Sequence, residues 1–477
     1  MKDKNKNWIQ LSILLLVHLM TIVDIFIVNI AIPSIQKDMQ SSDSMTQLVV
    51  AMYMIGFASF LIIGGKAGDY YGRKKTFILG LVFFMISSAG CGFAQTPGLL
   101  IFLRFTQGVS AGFMSPQVLS YIQILFNDHR ERTYAMGWYG IAIGAGTMLG
   151  QFLGGFLVEL KPVFVEQAWQ YIFLINIPVC VVTIILARSY LSPSKNVGSS
   201  EMDYTSACMI CLGLVMLIFS LTFGLEQNSS FIIISLSLSC AILLLFVFRQ
   251  NIRKSQNKEP LLDPELFKNR NFNLAISAAA LFMLMLDAYF YILALYLQRG
   301  LGLSPGHAGY FIVFQGAGFI FASLFSARLV LYFGKKILIG GLLMIMLTLI
   351  VQLVLFYFRT VNAAGYIVIA LHGSGVALVL PSLATIALKG MPEKFTGNAS
   401  GVYSTVQQLF GALGIACTGR IFYYFAENHY GDQSLHTGMV YSTGVHILCL
   451  TGVLIIMICV PTSVLPKRRA LKRQPDE

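Results

Sequence analysis

The stretch Gly65-Lys66-Ala67-Gly68-Asp69-Tyr70-Tyr71-Gly72-Arg73-Lys74-Lys75 joins two apolar runs, 46–65 and 76–93. A bilayer core of ~30 Å is crossed by a helix of about 20 residues, so each flanking run is close to that length. Gly68 and Gly72 permit a tight turn between two helices. Asp69 is expected at the start of the following helix, where negative charge suits the helix dipole, with Arg73 four residues on. The reading is a helical hairpin through lipid, because backbone polar groups in a bilayer must be satisfied within their own segment. An all-α membrane protein is therefore expected.

Working outward, apolar runs of similar length lie at 11–32, 99–125, 134–158, 171–187, 206–225, 231–248, 272–297, 308–327, 337–358, 365–388, 399–425 and 439–460, which makes fourteen in all. Composition agrees: 56% of the 477 residues are apolar and 11% charged, where soluble domains carry roughly 25% charged residues. The first run is longer than a signal-peptide core and no small-residue cleavage site follows it, so it reads as a retained helix. With the N-terminus inside, 27 of the 33 Lys and Arg fall on inside segments and Lys37, Lys161, Arg299 and Arg359 on outside loops. Arg104 and Arg420 lie within spans. A miscounted span would invert every later loop and destroy that bias, so both termini are expected to be cytoplasmic. The net charge of +12 thus reflects topology, and no nucleic-acid partner is expected.

A second basic turn, Tyr332-Phe333-Gly334-Lys335-Lys336, follows the tenth span as Tyr71-Gly72-Arg73-Lys74 follows the second. Gly72 aligns with Gly334, Arg73 with Lys335 and Lys74 with Lys336. Each copy sits between the second and third helix of a six-span half if two spans are extra. Repeated halves with a midplane site between them are a transporter architecture. The expected division is an N-terminal six-helix bundle at 1–193, two additional helices at 194–250, a cytoplasmic linker at 251–270, a C-terminal bundle at 271–466 and a basic tail at 467–477.

The quoted loop resembles the signature loop of the major facilitator superfamily. Further stretches resemble its fourteen-span drug:proton antiporters: Asp24-Ile25-Phe26-Ile27-Val28-Asn29-Ile30-Ala31-Ile32-Pro33, Arg104-Phe105-Thr106-Gln107-Gly108 and Trp169-Gln170-Tyr171-Ile172-Phe173-Leu174-Ile175-Asn176-Ile177-Pro178. Pro260-Leu261-Leu262-Asp263, Leu295-Tyr296-Leu297-Gln298 and Gly411-Ala412-Leu413-Gly414 carry the likeness into the second half. The resemblance implies the major facilitator fold, two six-helix bundles plus two extra helices between them, and 14 transmembrane helices. It implies a cytoplasmic gate at Gly68, Asp69, Gly72 and Arg73 that latches the outward-open state, and a role for Arg104 in proton transfer. In the fifth helix, Gly146, Gly150 and Gly154 make one smooth face for close helix approach. Gln151 stands where the family's antiporter motif has Pro. Proline would kink the helix and Gln does not; alternatively Gln151 faces the cavity and hydrogen-bonds substrate.

Of 21 acidic residues, Asp24 and Asp287 lie near the middle of spans. An ionised side chain there costs about 2.5–3.5 kcal/mol on insertion scales, and such groups usually face a partner or a water-filled cavity. Asp24 either holds a fixed salt bridge to Arg104 or carries protons coupled to cargo. Asp287 is expected to recognise a cation or to serve as a second proton site, the two helices facing each other across a cavity. His18 and His372 are relays or hydrogen-bonded structural residues. Asn29, Gln107, Gln151, Gln315, His372 and Gln407 are candidate cavity-lining residues; Gln408 shares that reading, with bonding between helices as the alternative. The 36 Phe and 21 Tyr can stack on flat cations, but sequence singles out none of them. Cys208 and Cys211 form a CxxC expected to be inert packing.

The sequence holds no HExxH, no phosphate-binding Gly-rich loop with its Lys and no nucleophile–base set, so neither an enzyme nor an ATP-driven pump is expected. The expected function is proton-coupled efflux of hydrophobic, cationic drugs by a monomer in the cell membrane, with no cofactor and no metal, driven by the proton gradient. A dedicated exporter of one endogenous metabolite, lipid or siderophore on the same fold is the alternative.

Overall fold

The structure is a computed structural model describing residues 2–126, 128–193, 203–223, 229–258, 260–358, 362–388, 393–427 and 434–460. The basic tail at 467–477 and the start of the additional helical pair, 194–202, lie outside the described residues. Fourteen long helices run through the described residues: α1 (Lys2–Met39), α2 (Asp43–Tyr71), α3 (Arg73–Gly92), α4 (Pro97–Leu125), α5 (His129–Val158) and α6 (Ala168–Tyr190) in the first half. The additional pair is α7 (Tyr204–Phe223) and α8 (Ser229–Ser255). The second half comprises α9 (Arg270–Leu295), α10 (Pro305–Phe333), α11 (Lys335–Tyr357), α12 (Ala363–Leu388), α13 (Glu393–Glu427) and α14 (Ser434–Cys459).

Thirteen of these are long and apolar enough to cross a membrane among the described residues. The fourteenth, α4, falls short because Arg104, Gln107, Ser110 and Gln117 dilute its apolar character. All four are buried. This helix spends its polar residues on protein neighbours, not on lipid, and hydropathy undervalues it.

Helices α1 to α6 form one bundle and α9 to α14 the other, while α7 and α8 pack on each other and α7 lies against α2 and α13. The bundles meet through α2 with α13 and α5 with α10. The glycine face of α5 packs on α1 as its spacing suggests: a side-chain carbon at Gly150 would press on the Val23 carbonyl oxygen at 2.8 Å. Gln151 leaves α5 unbroken from His129 to Val158.

The two basic turns are structural equivalents with one correction to their alignment. Gly72 (φ 95°) and Gly334 (φ 55°) each link consecutive helices in a conformation that side chains resist. Lys74 Nζ donates to the carbonyls of Arg188 and Leu191, both at 2.7 Å, at the end of α6. Lys335 Nζ donates to those of Ile458 at 3.0 Å and Val460 at 2.8 Å, at the end of α14. A cation on orphan carbonyls at a helix C-terminus offsets the dipole and satisfies the backbone. Lys335, one place earlier than the aligned Lys336, is thus the counterpart of Lys74. Asp69 also differs from expectation. Helix α2 continues to Tyr71, so Asp69 sits in its last turn and not at the start of α3. The dipole there disfavours a carboxylate, and a 2.8 Å ion pair to Arg73 compensates.

Candidate functional site

A cavity of about 320 Å³ lies between the bundles. Helix α1 presents His18, Ile22 and Phe26 to it, at steps of four residues. Helix α9 presents Met283, Asp287 and Phe290 in a similar rhythm, and Phe26 meets Phe290 edge to face at 4.9 Å. Lys66, Asp69 and Gln123 bring the lining to the ends of α2 and α4 beside the α2–α3 turn, so the mouth is on the basic face.

Bonds between the bundles close the opposite face. Gln298 Nε2 donates to the Ile30 carbonyl at 3.0 Å, and the Gly306 amide donates to Glu159 Oε1 at 2.8 Å. Arg299 reaches Asp43 at 3.5 Å and also donates to Gln36. Removing this clasp should favour the state open on that face. Arg299→Ala is expected to shift the population up to about fivefold, the upper range for an exposed ion pair. Spin labels at Lys37 and His307, in a background without exposed cysteines, would read it as a longer distance component; an unchanged distribution would exclude Arg299 as a clasp.

Asp287 is 9% exposed and makes no hydrogen bond or ion pair among the described residues. A methyl group at Gly411 of α13 would overlap the Asp287 carboxylate and Met54, so the glycine makes room for the acid. Of the formally charged residues lining the cavity, Lys66 and Asp69 stand at the mouth and Asp287 stands deep. The same cavity is lined by the aromatic side chains of Phe26, Phe57, Tyr139, Phe290 and Phe319, which the sequence did not single out. For two of them a signal was present: Phe290 lies three residues from Asp287 and Phe319 four from Gln315, each on the same helix, whereas Phe26, Phe57 and Tyr139 have no polar cavity residue so near in sequence.

Asp24 occupies a different site, on the reverse face of α1 and outside the cavity lining. Arg104 Nη1 donates to it at 2.5 Å, Gln107 Nε2 at 2.9 Å and Asn176 Nδ2 at 2.7 Å. Both Asp24 and Arg104 side chains are fully buried. Arg104 also donates to Gln107 Oε1 at 2.8 Å and the Val49 carbonyl at 3.2 Å, and lies over the Tyr53 ring at 4.3 Å. Ser88 accepts from Gln107 and Asn176 and donates to the Phe173 carbonyl. The network binds α1, α2, α3, α4 and α6 together, so Asp24 and Asp287 do not face each other across the cavity. Ser88 and Asn176 went unassigned in sequence, where only the need of Arg104 for a buried counter-charge pointed to the pair.

Gln315 and Gln407 line the cavity, as does Gln408. Asn29, Gln107, Gln151 and His372 do not. Gln107 serves the Asp24 network, Asn29 is buried, and Gln151 is fully buried on α5, its carbonyl turned to Gly309 of α10. His372 stacks on Tyr289 at 4.4 Å and meets Thr348 at 3.1 Å behind the cavity wall. His18 lines the cavity by stacking on Tyr139 at 4.1 Å, not by hydrogen bonding. Gly68, Asp69, Gly72 and Arg73, the residues expected to form a gate, cluster at the mouth, the Asp69 side chain 42% exposed.

The sequence model described as "Major Facilitator Superfamily" matches residues 14–415. A probable actinorhodin transporter of Streptomyces coelicolor is 31% identical over 426 residues, covering 88% of this chain and 73% of that protein. Puromycin resistance protein pur8 of Streptomyces alboniger is 29% identical, covering 94% and 90%. Multidrug resistance protein Stp of Mycobacterium tuberculosis is 28% identical, covering 84% and 73%. Among solved structures, a D-xylose-proton symporter superposes with a TM-score of 0.67 at 15% identity, covering 96% of this chain and 99% of the other. A bacterial homologue of the lysosomal transporter Spinster, inward-facing and unoccupied, also gives 0.67, at 14% identity and 95% and 97% coverage. Two six-helix bundles around a cavity, a family match over most of the length and relatives named as transporters give one conclusion: the chain belongs to the major facilitator superfamily and is a membrane transporter, not an enzyme.

Proposed function

We propose that this protein expels hydrophobic, cationic compounds from the cell in exchange for protons. The observation that carries the reading is the Asp287 carboxylate, deep in a cavity walled by aromatic and aliphatic side chains and without a protein partner among the described residues. A carboxylate withdrawn from water needs a counter-charge or a proton. A cationic cargo supplies the first, its flat apolar body stacking on rings that also attract positive charge. Once the cargo leaves on the outside, a proton takes its place and the neutralised site returns to the cytoplasmic side. The basic face would be cytoplasmic, since Lys and Arg favour inside loops, and the cavity as described would be the loading state. The transporter would work as a monomer in the cell membrane. The relatives' names, spanning several antibiotics and multidrug resistance, support drugs as the cargo class.

The direct test follows ethidium efflux from energised cells with and without a protonophore. Efflux that collapses with the proton gradient is expected. Efflux indifferent to the protonophore would reject proton coupling. No efflux of any cationic dye, with the protein verified in the membrane, would replace drug export by a dedicated exporter of one molecule.

A further inference from the structure

The central cavity holds hydrogen-bonding capacity that the protein leaves unused. Gln315 of α10 and Gln408 of α13 line it, and the side-chain carbonyl oxygen of each is buried without a hydrogen-bond partner. Ser115 of α4 and His18 of α1 line it from the first bundle, and the Ser115 hydroxyl and both His18 ring nitrogens are likewise buried and unpartnered. Gln315 is 2% and Ser115 8% exposed, so bulk water does not serve them. Both bundles thus contribute idle polar atoms to one lining.

These atoms share a chemical bias. A carboxamide oxygen only accepts, a serine hydroxyl accepts as well as donates, and a neutral imidazole accepts at one nitrogen. What the cavity lacks is donors. Lys66, at the mouth, already donates to the Pro260 carbonyl at 2.8 Å. The acceptors also stand near the deep charge and are firmly seated. Gln408 lies three residues, about one helical turn, before Gly411, whose missing side chain makes room for the Asp287 carboxylate. A side-chain carbon at Gly373 of α12 would overlap the Gln315 main-chain carbonyl, so α10 is fixed there by backbone packing. A cargo that displaces water and brings no donor leaves these oxygens stranded, which costs more than a made hydrogen bond gains. Sites with buried polar groups therefore reject analogues that lack the matching hydrogen.

On the reading that this cavity loads cations, we propose that it selects cations carrying N–H donors of their own, protonated amines and aromatic rings bearing amino groups, over fully alkylated cations. Asp287 takes the charge, and the Gln315 and Gln408 carbonyls accept from the N–H groups.

The test compares proflavine with acridine orange on the full chain purified in neutral detergent, by equilibrium dialysis corrected for dye held by protein-free micelles. Both are flat acridinium monocations at neutral pH, and acridine orange replaces the amino hydrogens of proflavine with methyl groups. Those methyls add apolar surface, so burial alone favours acridine orange. Proflavine is nevertheless expected to bind about tenfold tighter, from two hydrogen bonds at roughly threefold each. Gln315→Met and Gln408→Met keep an unbranched side chain and remove the oxygen. Each should weaken proflavine about threefold and leave acridine orange unchanged, and the pair together should erase the preference. Size-exclusion chromatography verifies that the variants are folded. Equal affinity for the two dyes, tighter binding of acridine orange, or variants that weaken both dyes alike would overturn the proposal. If the wild type binds both dyes equally and Asp287→Asn binds neither, N–H selection falls while the cationic cargo stands. A wild type that binds neither dye would remove the cationic reading and this inference with it.

Discussion

Asp287→Asn is expected to reach the membrane folded and to lose proton-driven ethidium efflux by about 10- to 100-fold, the worth of one charge-assisted contact. The substitution keeps shape and removes charge. Among the described residues none pairs with that charge, so thermal stability should stay level or rise. Gly411→Ala separates charge from position. Its methyl group would push the carboxylate off its seat without neutralising it, and the expected effect is a higher half-saturating ethidium concentration with a smaller loss of maximal rate. Asp287→Glu should retain part of the activity, since charge survives at an altered reach. Full-rate efflux in Asp287→Asn would remove this residue from the mechanism and, with it, the cationic-cargo reading.

What the sequence disclosed follows from how each signal arises physically. Span number and orientation are carried by bulk quantities, apolar length and the side on which lysines and arginines fall, and both survive small errors in boundaries. Faces are harder. Asp24 and Asp287 look alike in a sequence, each a lone acid in the first helix of a half. Yet Asp24 shares no face with the cavity residues His18, Ile22 and Phe26, whereas Asp287 stands four residues from Met283 and three from Phe290. Sorting each helix into faces before assigning roles would have separated the two acids. Gln107, Gln151 and His372 mislead for a related reason: a polar residue in a span announces that it avoids lipid, not whether it avoids it toward a cavity or toward another helix. Gln315 and Gln407 did turn to the cavity, on chemistry no different from theirs. The Lys335 cap was hidden because its partners, the last carbonyls of α14, lie 123 and 125 residues away.

Arg104→Ala is expected to be the most destabilising single change, costing about 3–5 kcal/mol because it strands a buried carboxylate. Asp24 has no exposure through which water could replace the lost partner. Gln107 and Asn176 would remain as donors, but neither carries the opposing charge. The guanidinium also ties the Val49 carbonyl of α2 into the network and stacks on Tyr53, so its loss loosens α2, which borders both the cavity and the other bundle. Asp24→Asn strands the arginine in turn and should cost a similar amount. The double variant Asp24→Leu with Arg104→Met removes both charges together, and should be more stable than either single variant because no unpaired ion is left behind. Thermal melting of the solubilised protein, read by the surviving monodisperse fraction, would measure all three. Single variants that melt with the wild type would mean the pair contributes nothing to stability. An Asp24→Asn protein of undiminished stability that no longer couples efflux to protons would return Asp24 to the role of proton carrier. The geometry favours the fastener: a carboxylate with three donors and an arginine with a ring beneath it, with no opening to the cavity, tie five helices of one bundle together.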